Sequence, residues 1–79
     1  MLELVEFIVD KLVGSEGQHS VALIEKGSEV DITVTCEKKV IGKIIGKQGR
    51  IAKAIRAIVK AAGAKEDTRR YNVVIQEMD

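Results

Sequence analysis

Apolar residues recur at helical spacing at the start of the chain and alternate with polar residues soon afterwards. Residues 2–13 carry apolar side chains three and four positions apart with acidic residues between them, which predicts an amphipathic helix that ends at Gly14. Residues 30–36 alternate strictly between apolar and polar, which predicts a strand with one solvent-facing side. Residues 20–26 show a similar strand pattern, and the short segment between the two suits a hairpin turn.

The second half of the chain returns to helical spacing twice and then ends in a strand pattern. Residues 37–45 and 50–62 each carry an apolar stripe, and Gly63 is expected to end the second of these helices. Residues 64–70 predict a charged loop, and residues 71–77 predict a last strand. The apolar positions of the second helix and of the last strand are Ile51, Ile55, Ile58 and Ala62, then Tyr71, Val73 and Ile75.

The order helix, strand, strand, helix, helix, strand predicts an α+β domain in which three helices cover one face of a three-stranded sheet. The length of 79 residues fits one domain over residues 1–79, and 46% hydrophobic with 32% charged residues is typical of a globular protein. Because the net charge is only +1, nucleic-acid binding would depend on a local cluster of cations. Neither a signal peptide nor a membrane-spanning helix is expected.

Few residues suggest catalysis or metal binding. One cysteine, Cys36, and one histidine, His19, cannot build an internal disulfide or a Cys/His zinc site. They lie in different predicted segments without a third partner, so we do not expect a nucleophile–base pair. The sequence therefore predicts no enzyme, no cofactor and no metal, and the lone cysteine suits a reducing cytoplasm.

Residues 42–51 read GKIIGKQGRI and interrupt the helical pattern with closely spaced glycines and cations. A P-loop is excluded because three residues, not four, separate Gly42 from Gly46, and Gln48 stands where Ser or Thr should follow Lys47. The dinucleotide fingerprint also fails, since Ile44 occupies a glycine position. Two glycines between helices instead leave backbone N–H groups and a helix N-terminus open to a phosphodiester strand.

Residues 40–55, VIGKIIGKQGRIAKAI, resemble the K-homology (KH) signature I-I-G-x-x-G-x-x-I, which lies between two helices. One position departs from the signature, because Ala52 stands at its last isoleucine and Ile51 comes one residue early. The order of predicted elements resembles the type II KH fold over essentially the whole chain. This resemblance implies that the loop from Gly46 to Gly49 clamps a single-stranded RNA of about four nucleotides.

The small size makes the chain similar to the bacterial single-domain KH proteins of the KhpA and YlqC-like family. That resemblance implies a cytoplasmic RNA-binding protein that acts as a homodimer, as a post-transcriptional regulator or an RNA chaperone. It also implies pairing with a larger KH protein of the Jag (KhpB) type and a connection with cell elongation, division and shape. The alternative is a protein–protein interaction module that dimerises or docks on such a partner, with RNA binding secondary.

Candidate RNA contacts follow from the matched motif and from the cations beside it. A glycine inside a helix is unfavourable, so Gly42 is expected to open a groove for a base, with close helix packing as the alternative. Ile45, Ile51 and Ile55 are expected to anchor the helices, and Ile41, Ile45 and Val74 are alternatives for the apolar floor of the groove. Arg56 and Lys60 extend the basic helix face more weakly. The predicted RNA-binding residues are Gly42, Lys43, Ile45, Gly46, Lys47, Gln48, Gly49, Arg50 and Lys53.

A second apolar patch is predicted on the same helix as the basic residues. Ala54, Ile58 and Ala61 lie three and four residues apart, so they share one face. Small side chains allow close helix approach, which would suit an isologous dimer. The alternative is that these residues simply extend the core.

Overall fold

The computed structural model describes residues 1–78, and these residues form three α-helices and one three-stranded sheet. The elements follow the predicted order, which is that of the type II KH fold, and the predicted α+β class is confirmed. Their bounds are α1 (Leu2–Val13), β1 (His19–Lys26), β2 (Glu29–Cys36), α2 (Lys38–Ile45), α3 (Arg50–Glu66) and β3 (Arg70–Glu77).

The sheet has the order β1-β2-β3, with β2 in the centre. β1 and β2 form an antiparallel hairpin, whereas β3 lies parallel to β2 with Glu29 opposite Arg70 and Cys36 opposite Glu77. A parallel neighbour requires the chain to cross back over the sheet, and α2 with α3 makes that crossover. This topology packs α3 against β3 and leaves the loop between α2 and α3 beyond the core.

The core lies between the three helices and one face of the sheet. Strict alternation in β2 buries Val30, Ile32, Val34 and Cys36 on that face and leaves Asp31, Thr33 and Thr35 on the other. The helices supply the opposing side chains at helical spacing. These are Val5, Val9 and Val13 of α1, Val40 and Ile44 of α2, and Ile55 and Val59 of α3.

Gly63 does not end the third helix, which continues to Glu66. The prediction that Gly63 ends the helix was wrong because this glycine lets the ring of Tyr71 pack closely against α3. A Cβ at Gly63 would stand 2.4 Å from Cδ1 of Tyr71. The absent side chain therefore makes room for the ring of Tyr71, and the loop before β3 shortens to residues 67–69.

The buried face of α3 is also shifted from the predicted one. Ala52, Ile55, Val59 and Gly63 are its buried residues, so the predicted stripe through Ile51, Ile58 and Ala62 is wrong except at Ile55. Ile51 and Ala62 flank this face as half-buried residues, and Ile58 is 45% exposed. The apolar stripe read from the sequence was wrong because Ala52 and Gly63 occupy two of the buried positions. Alanine and glycine are only weakly hydrophobic, so they do not stand out in an apolar pattern.

A compact polar network closes the turn between α3 and β3. Arg69 donates hydrogen bonds to the Asp67 carboxylate from Nε at 3.0 Å and from Nη2 at 2.9 Å. The hydroxyl of Tyr71 donates to the same carboxylate at 2.9 Å, and Nη1 of Arg69 reaches Oε1 of Glu25 on β1 at 3.1 Å. These bonds fix the start of β3 against both its helix and the far edge of the sheet.

Candidate nucleic-acid interface

The loop between α2 and α3 is a single tight turn that depends on left-handed backbone conformations. Gly46 and Gly49 have φ angles of +76° and +74°, and Gln48 between them has a φ of +55°. Such angles are accessible to glycine but unfavourable for most other residues, so the two glycines permit the turn and Gln48 is strained. Strain of this kind concentrates at ligand-binding sites. Lys47 and Gln48 form the exposed tip of this loop, which we call the Gly46–Gly49 loop.

Gly46 also allows the first turn of α3 to pack under the loop. A Cβ at Gly46 would stand 2.6 Å from Cγ1 of Ile51, so the Ile51 side chain occupies the space that a larger residue would need. Ala52, at the position where the KH signature has isoleucine, is 5% exposed and belongs to the core. The departure from the signature thus divides one role between two residues: Ala52 is buried, and Ile51 supports the loop.

The N-terminus of α3 is open toward this loop. Gly49 precedes the helix, no side chain caps its first amides, and its first turn contains no acidic residue. The amide of Arg50 already donates to the carbonyl of Lys47, and the positive end of the helix dipole with the other first-turn N–H groups is suited to bind an anion. Arg50 lies in this first turn, where its Nη2 donates a hydrogen bond of 3.1 Å to Oε1 of Gln48.

The outer side of α2 forms an apolar surface next to the loop. Gly42 is exposed, and no heavy atom beyond its own helix backbone and chain neighbours lies within 4 Å of the position that a Cβ would take. Close helix packing therefore does not explain this glycine, whose surface faces open space. Ile41 is half-buried and Ile45 is 37% exposed on the same side.

Two aliphatic residues stand elsewhere than predicted. Ile45 does not anchor α2 to the sheet; Ile44 fills that role with no exposed surface, and the Ile45 side chain stands at the surface. Val74 lies on the sheet face opposite the helices, where it pairs in register with Thr33 and is 46% exposed. It cannot form the groove floor, because the sheet separates it from α2.

The predicted cations divide into two groups. Lys47, Arg50 and Lys53 are exposed around the loop and the start of α3. The ammonium group of Lys43 is instead held by the carboxylate of Glu16, in the connection between α1 and β1. In this arrangement the ammonium group of Lys43 is occupied by an exposed ion pair, and its contact with RNA stays a prediction.

Sequence reasoning missed a strong segregation of charge along the chain. Residues 38–65, which contain all of α2, the loop and nearly all of α3, hold nine of the 13 Lys and Arg residues and none of the 12 acidic ones. The net charge of +1 hides this distribution, because the acidic residues lie in the remainder of the chain. Counting charges by segment would have found it, and it provides the local basic cluster that binding to nucleic acid requires.

The apolar patch predicted on α3 is at the surface. Ala54, Ile58 and Ala61 are all exposed, so they are not an extension of the core. We call these three residues the outer patch of α3. An exposed isoleucine between two alanines is a surface on which a second helix can lie closely.

Two other features bear on the kind of protein this is. Within residues 1–78, no helix is long and apolar enough to cross a membrane. The same residues contain no cluster of three or more His, Cys, Asp or Glu side chains placed to hold a metal ion.

Comparison with known proteins agrees with the motif and the fold. The family model described as "KhpA/KhpB, KH domain" matches residues 2–75. A protein of Borreliella burgdorferi is 40% identical over 68 residues, covering 86% of this chain and 83% of its own. Relatives from Clostridium perfringens and Caldanaerobacter subterraneus are 43% and 44% identical, covering 85% and 87% of this chain and 89% and 92% of theirs. All three are named "RNA-binding protein KhpA".

Proposed function

Because this chain belongs to the KhpA/KhpB family of KH domains, we propose that it binds single-stranded RNA through the Gly46–Gly49 loop. The observation that carries the proposal is the left-handed two-glycine turn leading directly into the uncapped N-terminus of α3. The name of the relatives, RNA-binding protein, supports RNA as the ligand. A cytoplasmic location and a role as a post-transcriptional regulator or RNA chaperone are part of this proposal.

In the proposed complex the loop holds phosphates and the outer side of α2 receives bases. Amides of the first turn of α3 donate to phosphate oxygens, and Lys47, Arg50 and Lys53 add positive charge. The bases lie against Gly42 and Ile45, where no side chain fills the space above the helix. Lys43 is paired with Glu16 on the surface, so a phosphate would have to displace that carboxylate before Lys43 joined this contact. Phe7 and Tyr71 are the only aromatic residues, so aliphatic contact replaces base stacking and sequence preference is weak.

The proposal is tested by reversing the charge of the loop tip. Replacing Lys47 and Gln48 by Asp places two carboxylates where phosphate would lie, so binding of a short unstructured RNA should be lost. A matched control is the pair Lys11→Asp and Ser15→Asp, which lowers the net charge equally at exposed positions on and after α1. The control should retain most of the affinity, and wild-type binding should weaken as salt rises. Equal loss in both variants, or no loss in either, would contradict the loop as the RNA site.

A second function, assembly with another KH domain, is favoured by the exposed outer patch of α3. We infer that two copies pair through this patch, and that a larger KH protein of the Jag (KhpB) type is an alternative partner for it. Ile58→Glu should convert a dimer to a monomer in sedimentation equilibrium. Ile24→Glu is the matched control, since Ile24 is 48% exposed against 45% for Ile58 but lies on the open face of the sheet. A monomeric wild type, or a dimer that only Ile24→Glu disrupts, would refute this assignment.

A further inference from the structure

A cleft with a volume of about 440 Å³ lies beside the C-terminal half of α3, away from the Gly46–Gly49 loop. Lys60 and Ala64 of α3 form one side, and residues 67–71 form the other. The cleft is therefore built from the end of the helix that carries the proposed RNA contacts and from the start of β3. Neither the loop nor α2 lines it.

The side chains that line the cleft leave an excess of positive charge. Lys60, Arg69 and Arg70 contribute cations, and Asp67 is the acidic residue among the lining side chains. Asp67 is already satisfied by Arg69 and by the Tyr71 hydroxyl, and the hydrogen bonds from Arg69 hold the pKa of its carboxyl below the usual range. Among residues 1–78, neither Lys60 nor Arg70 forms an ion pair, so two cations stay available to an anion in the cleft.

A row of cations connects the cleft with the loop. Lys53 precedes Lys60 by seven residues, which is close to two helical turns, so both side chains leave the same flank of α3. Arg56 lies between them on that flank, and Arg50 begins the helix at the loop. At 1.5 Å per residue the row runs roughly 15 Å from Arg50 to Lys60. We call Lys53, Arg56 and Lys60 the basic flank of α3.

We propose that RNA held at the Gly46–Gly49 loop continues along the basic flank and places the phosphate of a flanking nucleotide in the cleft, between Lys60 and Arg70. The ligand is a phosphodiester because the cations form a continuous row that begins at the phosphate-binding loop. This inference rests on the proposed function and extends it, since it makes the binding site longer than the four nucleotides of one KH groove. A tetranucleotide held at the loop does not reach the cleft, whereas a longer strand does.

The test compares two RNA lengths, about four and about twelve nucleotides, by fluorescence anisotropy at several salt concentrations. Lys60→Gln with Arg70→Gln should weaken binding of the longer RNA roughly tenfold at low salt and lower its salt slope by about two. The same variant should leave the tetranucleotide unaffected. Lys60→Arg with Arg70→Lys keeps both charges and should restore long-RNA binding. Lys11→Gln with Lys26→Gln is the matched control, because both residues are exposed cations that lie outside the basic segment of residues 38–65.

The outcomes separate this inference from the proposed function. If the Gln variant binds long RNA as tightly as wild type, or weakens both lengths equally, the second contact in the cleft is refuted while loop binding stands. An equal loss in the Lys11 and Lys26 control also refutes it, because the effect would then be one of overall charge. If the Asp variant of Lys47 and Gln48 binds both lengths normally, the proposed function itself fails.

Discussion

Replacing Gly42 by alanine should stabilise the protein, although Gly42 is one of the residues proposed to contact RNA. Glycine inside a helix is less favourable than alanine by about 1 kcal/mol. Gly42 lies in the middle of α2, and an added Cβ would have no heavy atom within 4 Å beyond the neighbouring backbone. Since nothing opposes the gain, the free energy of unfolding should rise by about 0.5–1 kcal/mol. In a domain of this size that corresponds to a Tm increase of several degrees, roughly 4–8 °C for each kcal/mol.

Gly63→Ala is the matched comparison, because it makes the same change inside α3 with a different environment. Its Cβ would stand 2.4 Å from Cδ1 and 2.7 Å from Cε1 of Tyr71. The ring cannot move away freely, since its hydroxyl is bonded to Asp67 and the residue is 5% exposed. Overpacking of this kind costs about 1–3 kcal/mol, which exceeds the helix gain, so this variant should be less stable than wild type.

Urea denaturation followed by circular dichroism measures both changes, and RNA titration then tests why glycine is present at residue 42. Gly42→Leu fills the groove beside Ile45 and should bind RNA more weakly while staying folded. A clear destabilisation by Gly42→Ala would refute the open-groove geometry. A folded Gly42→Leu variant with unchanged RNA affinity would refute the base-binding role assigned to this surface.

Three further substitutions test the loop and an ion pair between α1 and β1. Gly46→Ala places a Cβ on a residue with a φ of +76° and within 2.6 Å of Cγ1 of Ile51. The free energy of unfolding should therefore fall by about 1–3 kcal/mol, seen as a lower Tm in a thermal melt. An unchanged Tm would contradict this packing. Gln48→Gly places a glycine, which adopts a positive φ without steric cost, at the residue whose φ is +55°. The Tm should rise slightly, and a lower Tm would argue against backbone strain at Gln48. A hydrogen bond with Asp10 raises the pKa of His19 above 6.5 against the opposing effect of burial, so charged His19 stabilises the fold fully below pH 6.5. That stabilisation should be lost as pH rises through the folded pKa, which lies above 6.5. The stabilities of wild type and His19→Gln should therefore converge as pH rises through that folded pKa, and a difference that stays constant with pH would refute the assignment.

Local periodicity was sufficient to predict the order of elements and most of their bounds. α1 and the alternating residues of β2 were correct because each pattern depends only on neighbours along the chain. The end of α3 could not be predicted, since Gly63 stays helical only because Tyr71, eight residues later, packs against it. A glycine that makes room for a ring and a glycine that ends a helix look the same in sequence.

The candidate site was predictable as a motif but not as a set of contacts. The spacing of Gly46 and Gly49 indicated the loop, and their positive φ angles agree with that prediction. The ion pair that occupies Lys43 joins it to Glu16, 27 residues away in the chain, and no local pattern reveals it. The exposure of Ile45 likewise depended on which of two adjacent isoleucines faced the core, which spacing alone left open.

The separation of charge along the chain has a consequence for how the protein meets a polyanion. At physiological ionic strength the Debye length is about 8 Å, which is shorter than the smallest dimension of the molecule, 19 Å. A nucleic acid bound at the Gly46–Gly49 loop therefore responds mainly to the nearby cations of residues 38–65 and is largely screened from acidic groups that lie farther away. When the ionic strength falls and the Debye length approaches about 30 Å, those acidic groups come within range and oppose the attraction. The strand then responds increasingly to the net charge of +1 rather than to the local cluster alone, so lowering the ionic strength strengthens binding less than the nine cations by themselves would.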